Sequence, residues 1–183
     1  MDEYEVRRMD EAELGRIAEI DRTEQVRVGY AVEAGRLVSK AVHWDVGNFL
    51  AEGEGEHTVA EKIAFCREHL DRGGRMIGAF CKGRLAGVAV ITPEVRPGLW
   101  QLAFLHTSRA HRRKGVASRL VTELTALAEK AGARAVYVSA SPTEAAVGFY
   151  QSLGFALTDA PLPELLELEP EDIHMVRELG PPS

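Results

Sequence analysis

The six residues from Arg109 to Lys114 carry four Lys/Arg and one histidine, in a chain whose formal net charge is −6. A basic knot in an acidic protein marks a localised anion site and argues against general nucleic-acid binding. The knot continues into Gly115-Val116-Ala117-Ser118. It follows an apolar run, Leu99–Thr107, and precedes Val116, Leu120, Leu124, Leu127 and Ala131, which recur at helical spacing. A strand therefore feeds a basic turn that opens a helix. The first N–H groups of such a helix have no intrahelical acceptor, and with the helix dipole they attract phosphate. Gly115 and Ala117 are small enough for a pyrophosphate to lie against the main chain, and Arg112, Arg113 and Lys114 surround it with positive charge. The spacing is not that of a P-loop, and no G-x-G-x-x-G follows a strand, so nucleoside triphosphates and dinucleotides are poor alternatives.

Other residue types suggest less. His43-Trp44-Asp45 sets an imidazole, an aromatic wall and a carboxylate side by side. Its bland alternative is an exposed strand end. Tyr150 is either a reactive phenol or a packing aromatic between Phe149 and Phe155. Cys66 and Cys81 make neither a disulfide framework nor a zinc site, and both read as buried small hydrophobes. No metal is expected.

The positioning elements follow from periodicity and punctuation. Tyr4–Arg8 reads as a first strand. Asp10 and Glu13 have capping-box form, with a helix from about Glu11 to Glu24. Val26–Val32 and Arg36–Val46 flank Glu33-Ala34-Gly35 as a β-hairpin, and Asn48–Glu56 reads as loop. Thr58 and Glu61 cap a further helix that stops at Gly73-Gly74. Met76–Cys81 and Leu85–Thr92 form a hairpin about Lys82-Gly83, and Pro93–Gly98 is a turn before Leu99–Thr107. Beyond the helix ended by Gly132 come a strand at Ala135–Ala140 and a helix from Ser141 to about Leu153. Phe155–Thr158 and Ile173–Glu178 are final strands around an acidic, proline-bounded connection. The pattern implies one α/β domain over residues 1–183, with a mixed sheet, helices on both faces and an inserted hairpin.

The basic turn resembles the acetyl-CoA signature of the GNAT superfamily of acyltransferases, Q/R-x-x-G-x-G/A after the fourth core strand. Arg112, Gly115 and Ala117 fill its defined places. Ala146-Val147-Gly148-Phe149-Tyr150-Gln151-Ser152-Leu153-Gly154-Phe155 is similar to the second motif of that family, a helix ending in F-Y-x-x-L-G-F. One helix and one strand separate the two, as in the family, and the resemblance spans about Met76 to Glu178.

The resemblance implies that acetyl-CoA enters between Leu99–Thr107 and Ala135–Ala140, two parallel strands that splay apart. The pantetheine arm would pair with main-chain groups of Leu105, His106 and Thr107, and an N–H there would stabilise the oxyanion as an amine attacks. The pyrophosphate would take Arg112 through Ser118. Tyr150 would face the departing thiolate as general acid. A phenol near pKa 10 is a weak donor to a thiolate near 8.5, by roughly 2 kcal/mol, so in that role Tyr150 would act mainly as a hydrogen-bond donor to the developing charge.

Two departures stand out. Thr143 occupies the place of an asparagine that commonly contacts the cofactor arm. Gln101 and Ala103 stand where many relatives carry a glutamate or histidine base. His106 is on that strand but faces away from Leu105 and Thr107. The region of His43, Trp44 and Asp45 commonly borders the acceptor in the family, and these residues are the acceptor-side candidates. Glu24, Glu33 and Glu52–Glu56 are acidic groups able to attract a cationic acceptor, or merely a solvated face.

The expected reaction is acetyl transfer to an amine, of a small molecule first and of a protein or peptide as the rival. A non-catalytic acyl-CoA-binding regulator is a third reading. The chain has no apolar run long enough to span a membrane, and its N-terminus lacks the regions of a signal peptide, so a cytoplasmic protein without membrane or nucleic-acid partners is expected. A homodimer is compatible with the sequence.

Overall fold

The protein is described by a computed structural model covering residues 3–55 and 57–180. Met1, Asp2 and Glu56, which enter the sequence expectations above, lie outside the described residues. Seven strands form one mixed sheet in the order β1-β4-β5-β6-β7-β9-β8. These are β1 (Glu5–Met9), β4 (Arg75–Cys81), β5 (Arg84–Arg96), β6 (Leu99–Thr107), β7 (Ala135–Ala140), β8 (Ala156–Leu157) and β9 (Ile173–Glu178). Only β6 and β7 pair in parallel. The expected hairpin, β2 (Glu24–Glu33) and β3 (Arg36–Val46), forms a separate two-stranded sheet. Gly29 bridges Thr143, and Tyr30 N–H donates to Pro142 O at 2.9 Å, so this hairpin crosses the exit of β7.

One sheet face packs on α2 (Val116–Lys130) and α3 (Glu144–Ser152), and its core holds Val116, Leu120, Leu124, Val136, Val138, Val147, Tyr150 and Ile173. The other face packs on a short helix at Glu11–Glu19 and on α1 (Val59–Asp71), around Leu14, Ile17, Cys66, Val88, Val90 and Phe104. Thr58 caps α1 by accepting from Glu61 N–H at 3.1 Å. The two cysteines are free and buried, as expected.

Four expectations are corrected. The first helix ends at Glu19 and is a 3₁₀ helix. Leu14, Ile17 and Ile20 are buried three residues apart, which is the 3₁₀ period, and the chain then extends into β2. β5 runs on through Pro93 to Arg96, because the proline falls in the register break between the pairs Thr92–Gln101 and Arg96–Leu99, where no N–H is required. Leu127 lies on the outer side of α2, 36% exposed. The acidic connection before β9 holds α4 (Pro163–Leu168), with proline in its first turn.

Candidate active site

β6 and β7 pair only over Leu99–Ala135, Trp100–Val136 and Gln101–Tyr137. Beyond Gln101 the two strands part. A register shift against β5 falls at the same level: Val90 pairs with Phe104 and Ile91 with Leu102, which leaves Ala103 as a bulge. A bulge bends its strand and re-aims the groups after it. The gap is therefore lined by main-chain N–H and C=O groups of β6 that β7 does not satisfy. Thr107 lies at its far end. Its Oγ1 is fully shielded from solvent and has no hydrogen-bond partner among the described residues. An unmatched buried hydroxyl costs about 1–3 kcal/mol, a cost that a polar group of a ligand would relieve.

The basic turn supplies the second half of the site. Arg113 and Gly115 both adopt positive φ, 59° and 81°. Alternating left-handed residues turn successive N–H groups to one side and form an anion-binding nest. Gly115 caps α2 without a side-chain acceptor, and intrahelical bonding begins with Arg119 N–H to Gly115 O at 3.0 Å. The N–H groups of Val116, Ala117 and Ser118 therefore have no intrahelical acceptor. No acidic residue occupies the first turn of α2. Close packing sets the helix there: a Cβ built on Gly87 would stand 2.7 Å from Val116 Cγ1. Arg112 is already engaged, donating to Thr107 O (3.3 Å) and Arg22 O (2.9 Å) and lying 3.6 Å from Glu24. It braces the turn. Lys114, Gly115 and Arg119 line an open groove beside β1, together with Tyr4, Val6 and Ala79.

Thr143 caps α3, accepting from Ala146 N–H at 3.1 Å. Tyr150, near the end of that helix, is buried against Phe149 and Phe155, with ring centroids 5.1 and 5.4 Å away. No hydrogen bond among the described residues engages its hydroxyl. Burial raises its pKa, and the nearby Asp172 raises it further.

Asp172 is a group that the sequence reading missed. It immediately precedes Ile173, the register partner of Ala140, the last residue of β7. It thus stands at the open end of the gap, close enough to act on the Tyr150 hydroxyl. Its carboxylate is half-buried and forms no ion pair or hydrogen bond among the described residues. Burial, with Glu169 as neighbour, pushes it up to about 7. The signal was absent from the sequence because Asp172 sits in an acidic run and gains its setting only from β7. Beside it Tyr137 Oη lies 2.7 Å from His174 Nδ1 and accepts from Leu162 N–H at 3.1 Å, and His174 Nε2 meets Glu169 O at 3.2 Å. This network ties α4 to the sheet.

His106 points away from α2, against Phe49 and Phe104, with centroid distances of 5.1 and 4.7 Å. Burial and the charges of Arg22, Lys62 and Arg112 hold its pKa down, to about 3, so it stays neutral. His43, Trp44 and Asp45 are exposed on β3. The Trp44 ring lies against Gly29, beside the bridge to Thr143. Glu33 is paired with Lys40 at 3.0 Å. Among the described residues no cluster of His, Cys, Asp and Glu suits a metal ion, and no helix is long and apolar enough to cross a membrane.

The sequence profile described as "Acetyltransferase (GNAT) family" matches residues 39–155. No curated protein matches the chain. Among solved structures, a nourseothricin acetyltransferase is 18% identical with TM-score 0.72, and the match covers 97% of this chain and 99% of that one. A Bacillus anthracis str. Ames protein, provisionally assigned as a streptothricin acetyltransferase and solved with acetyl coenzyme A, is 15% identical with TM-score 0.73 and the same coverages, 97% and 99%. The PaiA N-acetyltransferase of Thermoplasma acidophilum, solved with coenzyme A, is 13% identical with TM-score 0.64, again over 97% and 99%.

Proposed function

Because the chain belongs to the acetyltransferase (GNAT) family, whose enzymes draw their acyl group from acetyl-CoA, we propose that it transfers that acetyl group to the amine of a small molecule. The supporting observation is the coincidence of the β6–β7 parting with an uncapped, positively charged helix start. In this reading the pyrophosphate rests on the N–H groups of Val116 to Ser118, with Arg113 and Lys114 adding charge and Arg112 holding the turn. The pantetheine arm lies in the gap along Leu105, His106 and Thr107, where the Thr107 hydroxyl gains its missing partner. Thr143 holds the start of α3 beside the arm.

The chemistry needs few groups. A neutral amine attacks the thioester carbonyl, an N–H of β6 past the Ala103 bulge takes the oxyanion charge, and the tetrahedral intermediate expels the thiolate. Tyr150, kept protonated by burial, donates a hydrogen bond to that thiolate. Asp172 receives the amine proton, directly or through water; a carboxylate poised near neutrality suits that task. Neither cysteine is a nucleophile, since burial pushes the Cys66 thiol up to about 12 and Cys81 is buried too. The hairpin forms the acceptor wall through Trp44, with His43 and Asp45 at its rim.

A small acceptor is favoured over a peptide because the hairpin crosses the exit of β7 and narrows the approach. Thiol release from acetyl-CoA across a panel of small amines and peptides, using the purified protein, tests the assignment. Release with small amines alone supports it. Release with peptides alone, or with nothing despite CoA binding, gives the peptide and regulator readings respectively.

A further inference from the structure

Three polar side chains stand side by side on the sheet face away from α2. Thr92 of β5 is the register partner of Gln101 of β6, and Gln101 is in turn the partner of Tyr137 of β7. Their chain neighbours Ile91, Leu102 and Val136 belong to the core on the α2 side, and alternation turns this row to the other side. All three are buried, at 0%, 5% and 1% exposure.

The two ends of the row are satisfied by buried histidines. His69 of α1 lies with Nδ1 2.7 Å from Thr92 Oγ1. Tyr137 Oη accepts from Leu162 N–H at 3.1 Å and lies 2.7 Å from His174 Nδ1, and His174 Nε2 meets Glu169 O at 3.2 Å. A carbonyl only accepts, so Nε2 donates there, and the Tyr137 hydroxyl, having accepted from Leu162, donates to Nδ1.

The middle member has no such partner. No hydrogen bond among the described residues engages the Gln101 amide, which offers an acceptor oxygen and two N–H donors. A buried amide left in this state is destabilising and calls for a partner. It is not sealed in the manner of Thr107 Oγ1, so the small exposure left to the residue reaches its polar end. Its place is the last rung before β6 and β7 part. Thr107 Oγ1 stands on the opposite, α2 side, where a Cβ built on Gly87 would meet both it and Val116. The parting strand β6 thus presents an unmatched polar group toward each face.

We propose that the Gln101 amide receives the acceptor: its Oε1 accepts from the attacking amine, and its Nε2–H donates to an uncharged hydroxyl or carbonyl oxygen close by on the same molecule. This rests on the amine-acetyltransferase reading above and adds the class of acceptor to it. A ligand that pairs with one side of the amide alone leaves the other side unmatched, so molecules that carry both groups are selected. The row holds no cationic side chain that would offset a buried carboxylate, which favours an uncharged oxygen. The acceptor approaches from the face opposite the α2 start, where the pyrophosphate rests in that reading.

The test compares amines of matched shape with and without the oxygen: 2-aminoethanol with propylamine, and glycinamide with isobutylamine. Wild type should show a KM about threefold to tenfold lower for the oxygen-bearing member, the worth of one hydrogen bond. Gln101→Met keeps the length of the side chain and removes the amide. It should bring the two members of each pair together, with CoA affinity unchanged. In parallel, the side-chain NH2 resonances of Gln101 in the CoA-bound wild type are followed during titration with the same four amines, which keeps the test open if Gln101→Met folds poorly. A shift with the oxygen-bearing amines, without any turnover, keeps the subsite and removes the acetyl-transfer reading. Equal KM values within both wild-type pairs, a preference that survives in Gln101→Met, or no shift of the NH2 resonances at saturating amine overturns the proposal.

Discussion

Gln101 and Tyr137 form the last parallel rung between β6 and β7, and Ala103, two residues on, is the bulge that turns β6 away. Between them these positions set where the pairing of β6 with β7 stops and the two strands part. Around that opening lie the start of α2 and Tyr150 on one face and Asp172 at its end, the groups to which the proposed function gives chemical roles.

Gly115→Glu should abolish stabilisation by CoA. The left-handed backbone at 81° disfavours any side chain, by roughly 1 kcal/mol, and the added carboxylate repels phosphate. The thermal shift of the folded variant with saturating CoA measures this; a normal shift would remove the pyrophosphate assignment.

Gly87→Ala should weaken CoA binding from beneath. Its Cβ would press on Val116 at 2.7 Å and Leu120 at 3.2 Å, displacing the start of α2 at a cost of about 1–3 kcal/mol. A higher KM for acetyl-CoA with little change in acceptor KM is the expected pattern in steady-state kinetics.

Tyr150→Phe should lower kcat by about tenfold to a thousandfold while CoA affinity holds. Because burial and Asp172 keep the phenol protonated far into the alkaline range, the wild-type rate should show no alkaline limb from this group. Unchanged single-turnover rates would assign Tyr150 to packing.

Asp172→Asn should flatten the acid limb of kcat/KM, which in wild type falls as pH drops through about 7. The stability effect has the opposite sense. The folded-state carboxyl titrates above its unfolded value near 3.9. Its contribution is therefore full below that value and is lost as pH rises through about 7. The variant should melt above wild type at pH 8 and close to it at pH 4. Melting curves at the two pH values check the sign.

His43→Ala and Asp45→Asn should raise the acceptor KM about twofold to fivefold, as expected of exposed positions at a rim, without moving the acid limb. A shifted limb in either variant would transfer the base role from Asp172 to the hairpin.

Much of the fold was legible because it rests on local signals. The apolar runs and turn glycines of β4, β5 and β6 fixed that meander, and the bounds of β6 and β7 agree with the runs read for them. The basic turn was legible for the same reason: a glycine after a cationic run, followed by apolar residues at helical spacing, marks the start of α2. Thr58 and Thr143 announced their caps.

What the sequence left open depends on contacts between distant segments. The first helix, read to about Glu24, ends at Glu19, because capping signals say where a helix begins, while its 3₁₀ winding and end came from burying Leu14, Ile17 and Ile20. Asp172 looked like one more acid in an acidic loop until the pairing of Ile173 with Ala140 set it at the mouth of the gap. Periodicity and turn chemistry are encoded within a few residues. A titrating carboxylate acquires its properties from the burial and charge that remote segments bring to it, so the basic turn before α2 could be read from the sequence and the setting of Asp172 only from the fold.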